Sequence, residues 1–133
     1  MKTDFSKSWK SSKQPRKQRK YMYNIPSHTA KKLMSAHLSK ELIKKYKKRN
    51  IPIRKGDKVK IMRGQFKGKT GEVTKVDLKL TKVHVDSAFV PKRDGTKATY
   101  PIYPSNLLIT ELKLDDKKRK KLLERNIKNE KTS

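Results

Sequence analysis

Arg63, Lys67 and Lys69 are interleaved with Gly64, Gly68 and Gly71 in the run R-G-Q-F-K-G-K-T-G. Residues of these types bind phosphate: cationic side chains neutralise its oxygens, and a tight turn that aims backbone N–H groups between them can hold an anion. Each glycine stands where a side chain would resist a positive φ or block the approach of another backbone. Glycine spacing taken alone also fits an ordinary loop in a β-rich domain. A second cluster with the same chemistry lies upstream. K-Q-P-R-K-Q-R-K-Y-M-Y sets Lys13, Arg16, Lys17, Arg19 and Lys20 within eight residues and follows them with Tyr21 and Tyr23. The cations suit phosphates, and tyrosine faces can stack on unpaired bases or sugars. A solvated charge run or a nuclear-import signal is the plainer alternative.

Other chemistries find little to work with. Asp57, Asp77, Asp86 and His84 are scattered with no spacing that pairs a nucleophile with a base, so catalysis is not expected. The chain has no cysteine, and neither His28 nor His37 has a carboxylate at ligand spacing, which argues against a disulfide framework or a metal site. No cofactor and no small-molecule substrate are expected.

Charge narrows the partner. The 133 residues carry 38 Lys and Arg against 12 Asp and Glu, a net +26, and only 32% of residues are hydrophobic. Such self-repulsion in a chain with a small core points to a polyanionic partner, with nucleic acid the default. Residues 1–50 alone hold 16 basic and 2 acidic side chains. No apolar run approaches the length of a membrane span, the first twenty residues lack the apolar centre of a secretory signal, and no segment joins a broad apolar face to a basic one. A soluble, intracellular protein that does not bind membranes is expected.

The elements that must position the cations follow from periodicity. Residues 1–20 are expected to form a basic extended arm without order of its own, with Phe5 and Trp9 either stray aromatics or base-stacking contacts. Residues 21–52 form a short-helix extension: one turn capped by Ser27, then a helix from Lys40 to Arg49 capped by Ser39 and ended by Pro52. From 53 to 112 the period becomes two. Strands are expected at Asp57–Met62, Gly71–Asp77, Lys82–Asp86, Ala88–Lys92, Thr96–Ile102 and Leu107–Leu112, with a bulge or sharp bend between Val73 and Val76 and turns at Asp94-Gly95 and Pro104-Ser105-Asn106. The fold class is mainly β, a small antiparallel SH3-like barrel around Val59, Ile61, Val73, Val76, Val83, Val85, Ile102, Leu108 and Ile109. Residues 113–133 supply a C-terminal helix, capped by Asp115, that presents Leu123 and Ile127 and frays from Asn129.

From Gly56 to Val76 the pattern G-D-x-V-x-I-x-x-G-x-x-K-G-x-x-G-x-V-x-x-V is unbroken. It resembles the KOW motif, a hairpin that binds RNA and protein and is shared by several ribosomal proteins and by transcription elongation factors of the NusG type. The flanks K-Q-P-R-K-Q-R-K, K-L-M-S-A-H-L-S-K-E-L, R-N-I-P-I-R-K-G-D, Y-P-I-Y-P-S-N and L-D-D-K-K-R-K-K sharpen the likeness. From Lys13 to Arg125 the chain resembles the archaeal and eukaryotic form of the universal large-subunit ribosomal protein number twenty-four, with the archaeal wording.

That resemblance implies a structural protein that binds large-subunit rRNA, docks early on its 5′ region, nucleates assembly and ends near the exit of the polypeptide tunnel. It also implies one copy per cytoplasmic ribosome, with neighbouring large-subunit proteins as further partners. It assigns rRNA contact to Arg63, Gly64, Gln65, Lys67, Gly68 and Lys69 and to the basic extension Lys13, Arg16, Lys17, Arg19 and Lys20. Met1–Ser12 fall outside it. A KOW-domain elongation factor is the alternative, although such proteins carry an α/β domain ahead of the motif that fifty residues this basic cannot build.

Overall fold

Alternation in Lys58–Ile61 buries Val59 and Ile61 and leaves Lys58 and Lys60 in solvent, and the same period organises the strands that follow. The computed structural model describes residues 5–131 apart from 7 and 10. Its elements are α1 (Pro15–Asn24), α2 (Ser27–Leu33), β1 (Ser35–Leu38), α3 (Lys40–Tyr46), β2 (Asn50–Pro52), β3 (Lys58–Ile61), β4 (Thr70–Asp77), β5 (Lys82–Pro91), β6 (Lys97–Ile102), a 3-10 turn (Pro104–Asn106), β7 (Leu107–Glu111) and α4 (Lys117–Lys131). Among the described residues no helix is long and apolar enough to cross a membrane.

The strands form one mixed sheet in the order β2-β1-β7-β3-β4-β5-β6. Every pairing is antiparallel except β1 with β7. Among the described residues β2 and β6 do not pair, so the sheet is not closed, yet side chains from all seven strands meet in a single core. The result is a small barrel-like fold, mainly β, with helices at both ends.

Several sequence expectations change. The basic run does not lie extended: Pro15 starts α1, where its missing N–H costs nothing and its fixed φ suits the first turn. The Lys, Arg and Gln that follow are good helix formers. Ser27 is the first residue of α2 and not its cap, a place taken by Pro26. Ser39 does cap α3, its Oγ accepting the Leu42 N–H at 3.4 Å. That helix stops at Tyr46 because Lys47 turns left-handed, φ 51°, which frees the chain to form β2, whose last residue is Pro52. The short β1 was hidden inside a helix-like stretch. It pairs with β2 and β7, so long-range partners and not local propensity create it.

The two runs expected on either side of Ser87 are one strand, β5, with a register shift between His84 and Phe89. The bulge between Val73 and Val76 is present as a register shift between Val73 and Lys75. Leu107, not Leu108, enters the core beside Ile109, since neighbours on a strand face opposite ways; Val76 only packs on its margin. Gly71 has no room for a side chain, because a Cβ there would lie 2.1 Å from Asp86 Oδ1. Asp86 uses that closeness to accept the Glu72 N–H at 2.9 Å.

The C-terminal helix rests on the barrel through a buried ion pair. Asp57, with no exposed surface, receives Arg119 Nη1 and Nη2 on its two oxygens at 2.6 Å each. The same carboxylate accepts the Arg54 N–H at 2.9 Å and the Lys113 N–H at 3.0 Å. Arg119 also donates to the Lys113 and Pro52 carbonyls at 3.0 and 3.2 Å. Leu123, one turn on, enters the core. The cap of α4 is Asp116, not Asp115: its Oδ1 accepts the Lys118 N–H at 2.8 Å, and its other oxygen pairs with Arg54. The helix continues to Lys131, past the expected fraying point, and Thr132 and Ser133 lie outside the described residues.

Two measurements check this docking. Arg119→Met leaves a buried carboxylate without its counter-charge and lowers stability in urea by on the order of 3–5 kcal/mol, with Arg119→Lys recovering only part because one ammonium cannot reproduce four donated bonds. The second is acid titration. Hydrogen bonds from Arg54 and then from the Lys118 amide hold the Asp116 carboxyl below the ordinary carboxylate range. Its stabilising contribution is therefore complete above about pH 4, the unfolded value, and fades as pH falls through the lower folded value. Asp116→Asn removes that acid-side loss of helical circular dichroism, leaving a flatter profile below about pH 4.

Candidate nucleic-acid interface

Between β3 and β4 the chain makes a loop whose one buried side chain is Phe66. Phe66 packs against Tyr100, ring centroids 5.4 Å apart, and Lys69 Nζ lies 5.2 Å from its ring centre. This anchor turns Arg63, Gln65, Lys67 and Lys69 out to solvent. Gly64 and Gly68 have φ of 98° and 88°, which explains why side-chain-bearing residues are unsuited there even though nothing crowds them. The loop is not an amide cradle on its outer half, however. The Lys67, Gly68 and Lys69 N–H groups donate to the carbonyls of Gly64, Ile61 and Phe66 at 3.2, 2.8 and 3.2 Å. Cations, held on a frame those bonds stiffen, are what the loop offers.

Helix α1 arranges the second cluster. None of its residues is buried, and Lys13, Arg16, Lys17, Arg19 and Lys20 are all exposed. Helical spacing sets Arg16, Arg19, Lys20 and Tyr23 on one face, at i, i+3, i+4 and i+7. Tyr23 is 86% exposed there. Tyr21 belongs to another surface: its ring stacks on Trp9 with centroids 4.5 Å apart and planes 12° from parallel, and Phe5 tilts against it at 5.5 Å. The structure thus separates two tyrosines that the sequence presents as equivalent. Phe5 and Trp9 are not stray; they pin the preceding segment to α1. The lysines of that segment at 7 and 10 lie outside the described residues.

Other residues join this chemistry without having stood out in the sequence. Tyr100 is 45% exposed beside the loop anchor, and Tyr103 is 49% exposed with the Lys82 ammonium 3.2 Å from its ring centre. Lys97 lies over Phe89 at 4.5 Å. Period-two alternation marks β5 and β6 as strands, but Lys82 and Tyr103 are far apart in the chain, and no local pattern signals their contact. His84 faces outward between the buried Val83 and Val85, its Nδ1 2.9 Å from Thr99 Oγ1. Asp94 forms the β5–β6 turn, accepting from the Thr96 hydroxyl and N–H at 2.7 and 3.0 Å, which holds its carboxyl below the ordinary range. Just beyond α3, partial burial and then the Arg125 charge on α4 push the Lys48 ammonium below its ordinary value.

A family model that describes the ribosomal proteins called L26 in eukaryotes, together with their archaeal L24 counterparts, matches residues 12–126. The chain is also 50% identical over 116 residues to the protein named "Large ribosomal subunit protein uL24" of Methanosphaera stadtmanae, covering 87% of this chain and 99% of that relative. Phe5 and Trp9 lie before the stretch that the family model matches.

The role given to Phe66 is testable on the free protein. Phe66→Ala costs about 3 kcal/mol, as deletion of a near-buried ring should, and the amides of Lys67, Gly68 and Lys69 exchange faster with solvent deuterium. Unchanged exchange at those three positions would mean the loop keeps its shape without the anchor.

Proposed function

The chain belongs to the family of ribosomal proteins that comprises eukaryotic L26 and its archaeal L24 counterparts, and from that premise we propose that it is a non-catalytic, structural constituent of the large ribosomal subunit that binds its rRNA. The observation that carries the proposal is the exposed cationic loop Arg63–Lys69, held on a packed aromatic anchor and accompanied by the basic face of α1. Arg63, Gln65, Lys67 and Lys69 meet phosphates, with Gly64 and Gly68 allowing the turn that presents them. Lys13, Arg16, Lys17, Arg19 and Lys20 add to the electrostatic attraction, most of which comes from the basic first fifty residues, and Tyr23 offers a ring to an unpaired base or a sugar. Tyr21 acts through the aromatic cluster. The match to a ribosomal family across residues 12–126 favours this reading over the elongation-factor alternative.

The same reading gives the protein an early place in subunit assembly, on the 5′ region of the rRNA, and a final position near the exit of the polypeptide tunnel of the cytoplasmic ribosome. It is present there in one copy beside neighbouring large-subunit proteins. Physical support comes from the charge: at +26 the free chain repels itself, and neutralisation by RNA would relieve this. A rigid barrel carrying cations on its loop and adjoining helix is suited to fixing the relative positions of RNA segments before other proteins arrive.

Salt dependence tests the electrostatic part. If the five cations of Lys13–Lys20 each neutralise one phosphate, they contribute about −3.5 to −4.5 to the slope of log affinity against log salt. Replacing all five with Gln flattens the slope for large-subunit rRNA fragments by that amount. An unchanged slope would remove α1 from the binding surface.

A further inference from the structure

The aromatic cluster ahead of α1 forms more than a brace. Phe5, Ser6, Trp9, Tyr21, Pro26, His28 and Thr29 line a pocket between the N-terminal segment, α1 and the start of α2. Phe5, Trp9, Tyr21 and His28 present flat rings, Pro26 adds an apolar one, and Ser6 and Thr29 present hydroxyls. Trp9 and Tyr21 are already stacked nearly parallel, so the pocket has a π platform in place before any ligand arrives. His28 is an exposed part of the lining.

The surroundings select the ligand. Lys13, Arg16, Lys17 and Lys20 on the adjoining stretch, and Lys31 and Lys32 at the end of α2, are all exposed. A cationic or methylammonium guest is therefore repelled, whereas a flat group attached to a phosphate chain is drawn in. Duplex RNA keeps its bases paired and stacked, and a pocket of this kind reads only a base that has left the helix. We propose that this pocket holds one unpaired nucleobase of single-stranded RNA, stacked on the Trp9–Tyr21 pair, with the hydroxyls of Ser6 and Thr29 and the His28 ring available to its edge. The site rests on the reading that the protein binds RNA, but adds a base-reading element to one otherwise built for phosphates. Two of its rings, Phe5 and Trp9, lie before the residues that the family model matches.

Trp9 is the one tryptophan in the chain and reports on the pocket directly. The full-length protein is titrated with end-labelled octaadenylate and with an RNA duplex of matched length, following label anisotropy for binding and tryptophan emission for the pocket. The single strand quenches Trp9 and the duplex does not. Phe5→Leu and His28→Ala weaken octaadenylate binding about tenfold or more, in line with the loss of a stacking contact, while duplex affinity stays unchanged. Octaadenylate that binds by anisotropy without altering Trp9 emission, or a duplex that quenches as strongly, would overturn the pocket and leave general RNA binding standing. Failure of both RNAs to bind would overturn the RNA reading and the pocket with it. Quenching by polyglutamate but not by octaadenylate would assign the pocket to an acidic protein segment and overturn the proposal.

Discussion

A carboxylate with no access to water, Asp57, ties the chain around Pro52–Asp57 to Lys113 and to Arg119 of α4. Its two oxygens take the Arg119 guanidinium and the amides of Arg54 and Lys113, and Arg119 reaches on to the Pro52 carbonyl. Desolvating such a pair is expensive, and an apolar substitute of equal volume is often no less stable. What the pair supplies here is geometry: a planar fork fits a carboxylate in one orientation, so the end of β2, the turn into β3, the chain after β7 and α4 share one arrangement. The Arg119 Nε, buried without a partner among the described residues, shows that the fork gives up one bond to make the other four.

This fixture matters because the apolar core is small for a chain of this charge. Among the described residues sixteen buried hydrophobic side chains, from Met34 to Leu123, form one cluster, while 38 cations must be kept apart. The barrel resolves the conflict by alternation, with Val59 and Ile61 turned in and Lys58 and Lys60 turned out. Around the rim, cations lie on aromatic faces, as Lys82 does over Tyr103 and Lys97 over Phe89. Such contacts lower the cost of bringing like charges close. The loop and α1 then carry cations on frames that do not need the core for each side chain, one held by Phe66 and the other by helix geometry and the Trp9–Tyr21 stack.

Much of this was legible in the residues. Period-two alternation located β3 to β7, the parity of Val73 and Val76 located the bulge, and Asp94-Gly95 located its turn, because each is a local consequence of backbone geometry. The candidate loop residues Arg63, Gln65, Lys67 and Lys69 are exposed together. What escaped was non-local. β1 finds its partners in β7 and β2, both distant in the chain, and Asp57 finds Arg119 sixty-two residues away. The basic run looked unstructured on composition, yet a proline at the first helical position and three aromatics folded against one another give it a helix. Its two tyrosines could not be told apart until that helix assigned them to different faces.

The central claim is that RNA meets this protein on the loop between β3 and β4 and on the Arg16, Arg19, Lys20, Tyr23 face of α1, with the barrel as the rigid support. Ultraviolet crosslinking of intact large subunits, followed by mass spectrometry of the peptides that carry nucleotides, measures that directly. The account predicts crosslinks to large-subunit rRNA concentrated in 63–69 and 16–23. Crosslinks that spare both segments and fall instead on the β4–β5 turn at Leu78–Leu80 or on the outer edge of β6 would contradict it.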